Sequence, residues 1–240
     1  MNRFFTEEEI CDNTLILTDE SVHHIKNVLK LKEGESLILI KNQKELLCNI
    51  DKIEKNSIIV IVEKELESAS ENNFSVTLYQ GIPKGDKLDF IVEKAVEAGA
   101  TSVVPLKMKR SIAKIEGKDV PKKTERFQKI AKSAAQQSGR LVIPTISEPV
   151  TPKQVDWSRY DLKLLCYEDE KKTTLKEVLS GVEAPKSIAV VIGPEGGISE
   201  EEAAYLLGQG FCAVSLGSRI LRTETAGLYT LANLNFWFCN

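Results

Sequence analysis

Cysteine is scarce and scattered in this 240-residue chain: the five thiols (Cys11, Cys48, Cys166, Cys212, Cys239) are odd in number and form no Cys-x-x-Cys pair. That pattern argues against a disulfide framework and a zinc site, and reads as free thiols in a reducing compartment. Histidine is limited to the adjacent His23 and His24, which cannot build a metal site alone, so no metal is expected. No stretch approaches the roughly 20 consecutive apolar residues that a membrane-spanning helix needs. The first ten residues carry an arginine and three glutamates and no apolar run, so neither a signal nor a transit peptide is expected and the cytoplasm is the default compartment.

The chain has 42% hydrophobic residues, enough for one large core or for a small domain joined to a medium one. The net charge of −3 does not by itself suggest a polyanionic partner, but the charge is unevenly placed. Between Lys107 and Arg140 eleven basic residues face three acidic ones, a net of +8 that leaves −11 for the remainder.

Leu37–Ile40, Leu46–Ile50 and Ser57–Val62 are short Ile/Leu/Val-rich runs separated by polar residues, as expected of strands joined by tight turns. Before them, Val22, Ile25, Val28 and Leu29 predict a helix over Ser21–Leu31, ended by Gly34. The polar stretch KELESASENN (64–73) marks a linker, which divides the chain into a β-rich domain, 1–72, and a second domain, 73–240. There the rhythm becomes strand then helix. Strands are expected at Val76–Ile82, Val103–Leu106, Leu162–Cys166, Ile188–Ile192 and Ala213–Leu216, and helices over Leu88–Gly99, Thr124–Ser138, Glu200–Leu207 and Glu224–Trp237. Such alternation implies an α/β domain with a mostly parallel sheet covered on both faces.

Two strand-to-helix turns stand out. IAVVIGPEGGISEEE joins a buried-type strand to a glycine-rich turn, Gly193–Gly197, and a helix opened by a Ser199/Glu202 capping box. Glycines beyond the carboxyl end of a strand let backbone amides approach a ligand. The spacing is neither that of a P-loop nor that of a dinucleotide fingerprint, which disfavours ATP and NAD; a tight connection without ligand would account for this loop alone equally well. The second stretch, AVSLGSRILRTETAGLYTLANL, repeats the layout, with Thr223 as expected helix cap. Arg219, Arg222 and Glu224 crowd its turn, which suits a charged site or, more simply, an Arg222–Glu224 surface pair.

IGPEGGIS followed by LGSRILRTETA closely resembles the C-terminal motifs of the bacterial ribosomal RNA small subunit methyltransferase E family, within the SPOUT superfamily. RFF (3–5), HHIKNVLKL (23–31), KGDKLDFIVEKAVEAGA (84–100), Arg110 and QKIAKSAAQQSGR (128–140) resemble further family blocks in family order. The resemblance implies a small PUA-like β-barrel followed by an α/β domain with a deep trefoil knot. It also implies a cytoplasmic homodimer that methylates N3 of a uridine in the decoding region of 16S rRNA within the 30S subunit, using S-adenosyl-L-methionine. The chain departs from the common family pattern at Ser218, often proline, and at Lys30, often arginine.

Carried onto this sequence, the resemblance assigns the cofactor to Gly193, Glu195, Gly196, Gly197, Leu216, Gly217, Ile220, Leu221, Thr225 and Ala226, with the region after Cys166 as a third loop. Arg222 and Glu224 are the catalytic candidates, for polarising or orienting the uracil. Arg3, His24, Lys30, Lys84, Arg110, Arg126 and Arg140 are the RNA-contact candidates; for His24 a structural, hydrogen-bonding role at the helix start is the favoured reading. Phe236, Trp237 and Phe238 read as core or dimer interface. Competing readings are a catalytically silent RNA-binding or ribosome-assembly protein, and a SPOUT enzyme acting on tRNA or 23S rRNA.

Overall fold

A computed structural model of the chain describes residues 1–239. It separates into two compact units: Met1–Glu71 together with Ala135–Val142, and Asn72–Ala134 together with the chain from Ile143 on. No helix among the described residues is long and apolar enough to cross a membrane.

The first unit holds β1 (Arg3–Phe5), β2 (Ile10–Cys11), β3 (Thr14–Leu17), α1 (Glu20–His23), β4 (Ser36–Lys41), β5 (Lys44–Ile53) and β6 (Ile58–Leu66). They form a six-stranded sheet in the order β1-β4-β5-β6-β3-β2. Two-residue turns close β2 to β3 and β4 to β5. Asp12, Asn13, Asn42 and Gln43 all take positive φ, between 49° and 61°, a twist that matches paired strands. Leu15, Leu17, Leu37, Leu39, Ile58 and Val60 meet in one core, buried to 1% exposure or less.

The helix expected over Ser21–Leu31 is shorter and different in kind. After one α-turn capped by Asp19, residues His24–Val28 form a π-helix, with Leu29 N–H donating to the His24 carbonyl five residues back. The wider turn shifts the register, so Val28 is 59% exposed while Ile25 stays buried.

The second unit holds β7 (Ser75–Gly81), α2 (Lys87–Glu97), β8 (Ser102–Leu106), α3 (Asp119–Ser138), β9 (Thr145–Ile146), β10 (Leu162–Cys166), α4 (Leu175–Ser180), β11 (Ser187–Ile192), α5 (Glu200–Gly208), β12 (Cys212–Val214) and α6 (Thr223–Phe238). Its sheet runs β12-β10-β11-β7-β8-β9 with every pairing parallel. The central strands are buried on both faces, Val76–Gln80 and Ile188–Ile192 without exception, which is why they read as continuous apolar runs. One face packs around Trp157, edge-on to Tyr79 and Phe211 at 4.7 and 4.9 Å between ring centres. α2 packs against α6, and its buried face is the stripe Leu88, Ile91, Val92, Ala95 and Val96. β10 and β12 end in register with β11, at Cys166, Val214 and Ile192, so three loops leave the sheet side by side.

Candidate active site

These three loops enclose an open cleft of about 1000 Å³ at the carboxyl ends of β10, β11 and β12. A cleft of that size at a strand-order switch is where parallel α/β sheets hold small ligands.

The loop Gly193–Ile198 forms its floor, and side chains from around the site hold its shape. Gly197 N–H closes a turn onto the Pro194 carbonyl at 2.9 Å, with Gly197 at φ +75°. Glu168, from the loop after β10, accepts from Ile198 N–H at 3.0 Å and lies so close that a Cβ on Gly197 would sit 1.8 Å from its carboxylate. The Arg110 guanidinium reaches the carbonyls of Gly196 and Ile198 at 3.4 and 3.3 Å. At the back, a Cβ on Gly81 would fall 2.5 Å from Pro194 N, so the end of β7 abuts the loop directly. The Ser199/Glu202 capping box expected at the start of α5 is formed.

The Glu195 side chain, exposed at the tip, turns toward α2. It accepts from Lys84 N–H at 3.1 Å and pairs with Lys87 Nζ at 2.9 Å. Burial pushes its carboxyl up, but the hydrogen bonds from Lys87, its own backbone amide and Lys84 outweigh this and hold it below the usual glutamate range. Lys87 also pairs with Glu224 at 3.3 Å.

The second loop, Ser215–Arg222, is stitched to the third at its start. Tyr167 N–H donates to Val214 O, Ser215 N–H to Thr173 O and Leu175 N–H to Ser215 O, at 2.8 to 3.2 Å. Thr223 does not cap α6; Arg222 occupies the cap position, and the buried Thr223 hydroxyl bridges Gly193 O and Gln80 Nε2 instead. Arg222 lines the cleft, and among the described residues its guanidinium forms no ion pair or hydrogen bond. The simpler Arg222–Glu224 pair is therefore absent, because Lys87 has taken the carboxylate.

Of the cofactor candidates, Gly193, Glu195, Gly196, Gly197, Leu216, Gly217, Ile220, Leu221 and Ala226 line the cleft. Thr225 does not; one residue past Glu224 on α6, it faces away into solvent. Cys166 closes the back of the cleft, its thiol pushed up to about 12 by burial.

The RNA-contact candidates divide. Lys30 and Lys84 are exposed, Lys30 in a left-handed conformation at φ +54°. Arg3 pairs with Glu45 at 3.2 Å, His24 packs edge-on against Phe4, and Arg126 pairs with Asp89 while staying 48% exposed. Arg140 is corrected. Its side chain is only 4% exposed and grips Glu71 through Nε at 3.2 Å and Nη2 at 2.6 Å, while Glu71 also accepts from Leu141 and Val142 N–H. A guanidinium so enclosed is a structural tie, not a surface charge for phosphate.

Residues 70–235 match the family model described as RNA methyltransferase domain, and residues 17–63 the one described as RNA methyltransferase PUA domain. The ribosomal RNA small subunit methyltransferase E of Bacillus subtilis (strain 168) is 34% identical over 247 residues, covering 98% of this chain and 96% of its own. That of Aquifex aeolicus (strain VF5) is 33% identical over 233 residues, with 94% and 95% covered. The crystal structure of a ribosomal RNA small subunit methyltransferase E from Neisseria gonorrhoeae bound to S-adenosyl methionine matches with a TM-score of 0.86 at 30% identity, covering 98% and 97%.

A parallel α/β sheet with a glycine-floored cleft, preceded by a PUA domain, defines the class: an RNA methyltransferase. Within that class the chain belongs to the ribosomal RNA small subunit methyltransferase E family, as its motifs led one to expect.

Lys87 and the Thr223 bridge were missed from sequence. The signal for Lys87 was available: a lysine on the first turn of a helix is locally disfavoured and asks for an offsetting partner.

Proposed function

We propose that the chain transfers the methyl group of S-adenosyl-L-methionine to N3 of one uridine in the decoding region of 16S rRNA, within the 30S subunit. The observation that carries this is the cleft, with Arg222 at its edge unpaired among the described residues, in a chain that aligns over 98% of its length with a ribosomal RNA small subunit methyltransferase E.

The cleft suits the cofactor. Backbone groups of Gly193, Gly196 and Gly197 line it without side chains in the way, and Leu216, Ile220, Leu221 and Ala226 add apolar walls. These residues would hold it, with Glu195 and Gly217 beside them. Bound there, the sulfonium supplies an already activated methyl group. What remains for the chain is to bring N3 into line and let a weakly acidic imide proton leave. Glu224 orients the base by accepting from N3–H, the proton passes to solvent water in the open cleft as the N3–methyl bond forms, and Arg222 stabilises the negative charge that spreads onto the uracil oxygens meanwhile.

A base in structured RNA must be turned out of its stack to reach such a cleft. Exposed Lys30, Lys84 and the basic stretch Lys107–Lys132 are the surfaces that would grip the surrounding phosphates, with Arg3, His24 and Arg126 as partly engaged contacts. Closure of the first sheet into a PUA-like barrel, a boundary near residue 72, and a trefoil knot belong to the same reading. The knot is supported by the hydrogen bonds that tie loop 167–175 to Val214 and Ser215. The same reading puts the protein in the cytoplasm as a homodimer; the dimer is supported by the aromatic face of α6, where Tyr229, Phe236 and Trp237 are 42%, 71% and 37% exposed, while Phe238 packs on Phe74.

The test is labelled-methyl transfer to unmodified 30S subunits beside free 16S rRNA, 50S subunits and tRNA. Incorporation into 30S subunits alone supports the reading. Incorporation into tRNA or 50S subunits rejects the substrate, and no cofactor binding at all favours a silent RNA-binding protein.

A further inference from the structure

Lys87 occupies the first position of α2, where the helix amides already carry partial positive charge and a cation is disfavoured. Two carboxylates from different elements offset this: Glu195 of the glycine loop at 2.9 Å and Glu224 of the first turn of α6 at 3.3 Å. They depend on Lys87 unequally. Glu195 is also held by the amide of Lys84. Glu224 has no other hold among the described residues: its Oε2 atom is buried and receives no well-aligned hydrogen bond, and the ion pair with Lys87 is the contact that fixes it.

We propose that Lys87 is a positioning residue for methyl transfer: its ammonium fixes the Glu224 carboxylate on the first turn of α6, two residues beyond Arg222, so that the uracil meets an oriented acceptor. The inference rests on the reading of Glu224 as the group that orients the base. Lys87 itself is not the base for N3, because its hydrogen bond to Glu195 first, and the nearby Glu224 carboxylate after it, hold its proton more tightly than usual. The Lys87–Glu224 pair is part-buried, 34% and 18% exposed, and removing Lys87 leaves the less exposed carboxylate in place without its counter-charge. Glu224 stands just behind the residues that line the cleft, and on the proposed reading it is the group that orients the base, so the loss appears in turnover. Lys87 also lines the cleft, at its α2 side, but the glycine loop keeps its ties to Glu168, Arg110 and Lys84, so cofactor affinity changes little.

The experiment compares wild type, Lys87→Met, Lys87→Arg, Glu224→Gln and the Lys87→Met/Glu224→Gln double variant on 30S subunits, with the cofactor dissociation constant measured by calorimetry on each. Lys87→Met is expected to lower kcat about 100-fold, the scale of a small misplacement at a reacting centre, with cofactor affinity within about threefold of wild type. Lys87→Arg restores most of the turnover, and the double variant is no slower than Glu224→Gln alone, as for residues that act through one another. Full turnover in Lys87→Met, additive losses in the double variant, or affinity falling in step with kcat would each overturn the proposal, the last by making Lys87 a plain staple of the loop. If wild type itself fails to methylate 30S subunits, the functional reading falls and this inference with it; an active wild type beside an active Lys87→Met sinks the inference alone.

Discussion

The Thr223 hydroxyl donates a 2.6 Å hydrogen bond to the Gly193 carbonyl, tying the start of α6 to the end of β11. The same oxygen accepts from Gln80 Nε2 at 2.7 Å, so one buried hydroxyl joins three segments behind the cleft. Thr223→Val keeps the shape but leaves a carbonyl and an amide without their partner, at about 1–3 kcal/mol for a buried polar group. The expected outcome is a lowered melting temperature together with cofactor affinity about tenfold weaker. An unchanged dissociation constant would remove the bridge from the cofactor site.

Gly197 combines φ +75° with a Cβ position that Glu168 already fills. Gly197→Ala therefore strains the backbone and drives the Glu168 carboxylate off Ile198 N–H. Loss of measurable cofactor binding in a folded protein is expected. Gly34→Ala is the control: φ is +87°, with nothing within 4 Å, so it should cost about 1 kcal/mol of stability and leave affinity intact.

Arg222 has no partner to lose among the described residues, so Arg222→Ala should leave folding and cofactor affinity close to wild type. Turnover should fall about 100-fold or more, the scale of removing one preorganised charge-stabilising donor. Single-turnover kinetics at saturating cofactor check this, and an unchanged rate removes Arg222 from the mechanism.

The basic segment makes a divided prediction. Lys114→Ala, at an exposed site, should weaken RNA binding modestly and reduce the slope of log affinity against log salt by about 1. Arg140→Ala should instead destabilise the fold by about 3–5 kcal/mol, by stranding Glu71. Thermal unfolding and salt-dependent binding separate the two; a selective RNA defect in Arg140→Ala would return that residue to the surface.

Period and punctuation made much of this architecture legible. Leu162–Cys166 is a strand over the residues expected, and Ser199 and Glu202 form their capping box, because both patterns are local. The glycine loop was recognisable because only glycine fits its backbone. The helix at Leu175–Ser180 and the strands at Arg3–Phe5 and Thr14–Leu17 were too short to show a period. The π-turn at His24–Val28 leaves no spacing signature distinct from an α-helix. Arg140 looked like one more cation in a basic run. Its partner, Glu71, lies in a polar linker 69 positions away, and only the fold brings them together. Lys87 likewise drew its meaning from carboxylates more than a hundred residues downstream.

The central claim is the chemical position of the methyl group. Unmodified 30S subunits incubated with this protein and labelled S-adenosyl-L-methionine, digested to nucleosides and separated, test it directly. N3-methyluridine as the single labelled product, mapped to one decoding-region site, is the predicted result. Label on carbon 5 of uracil, on a ribose, or on another base would contradict the account of Arg222 and Glu224 as handlers of an imide nitrogen.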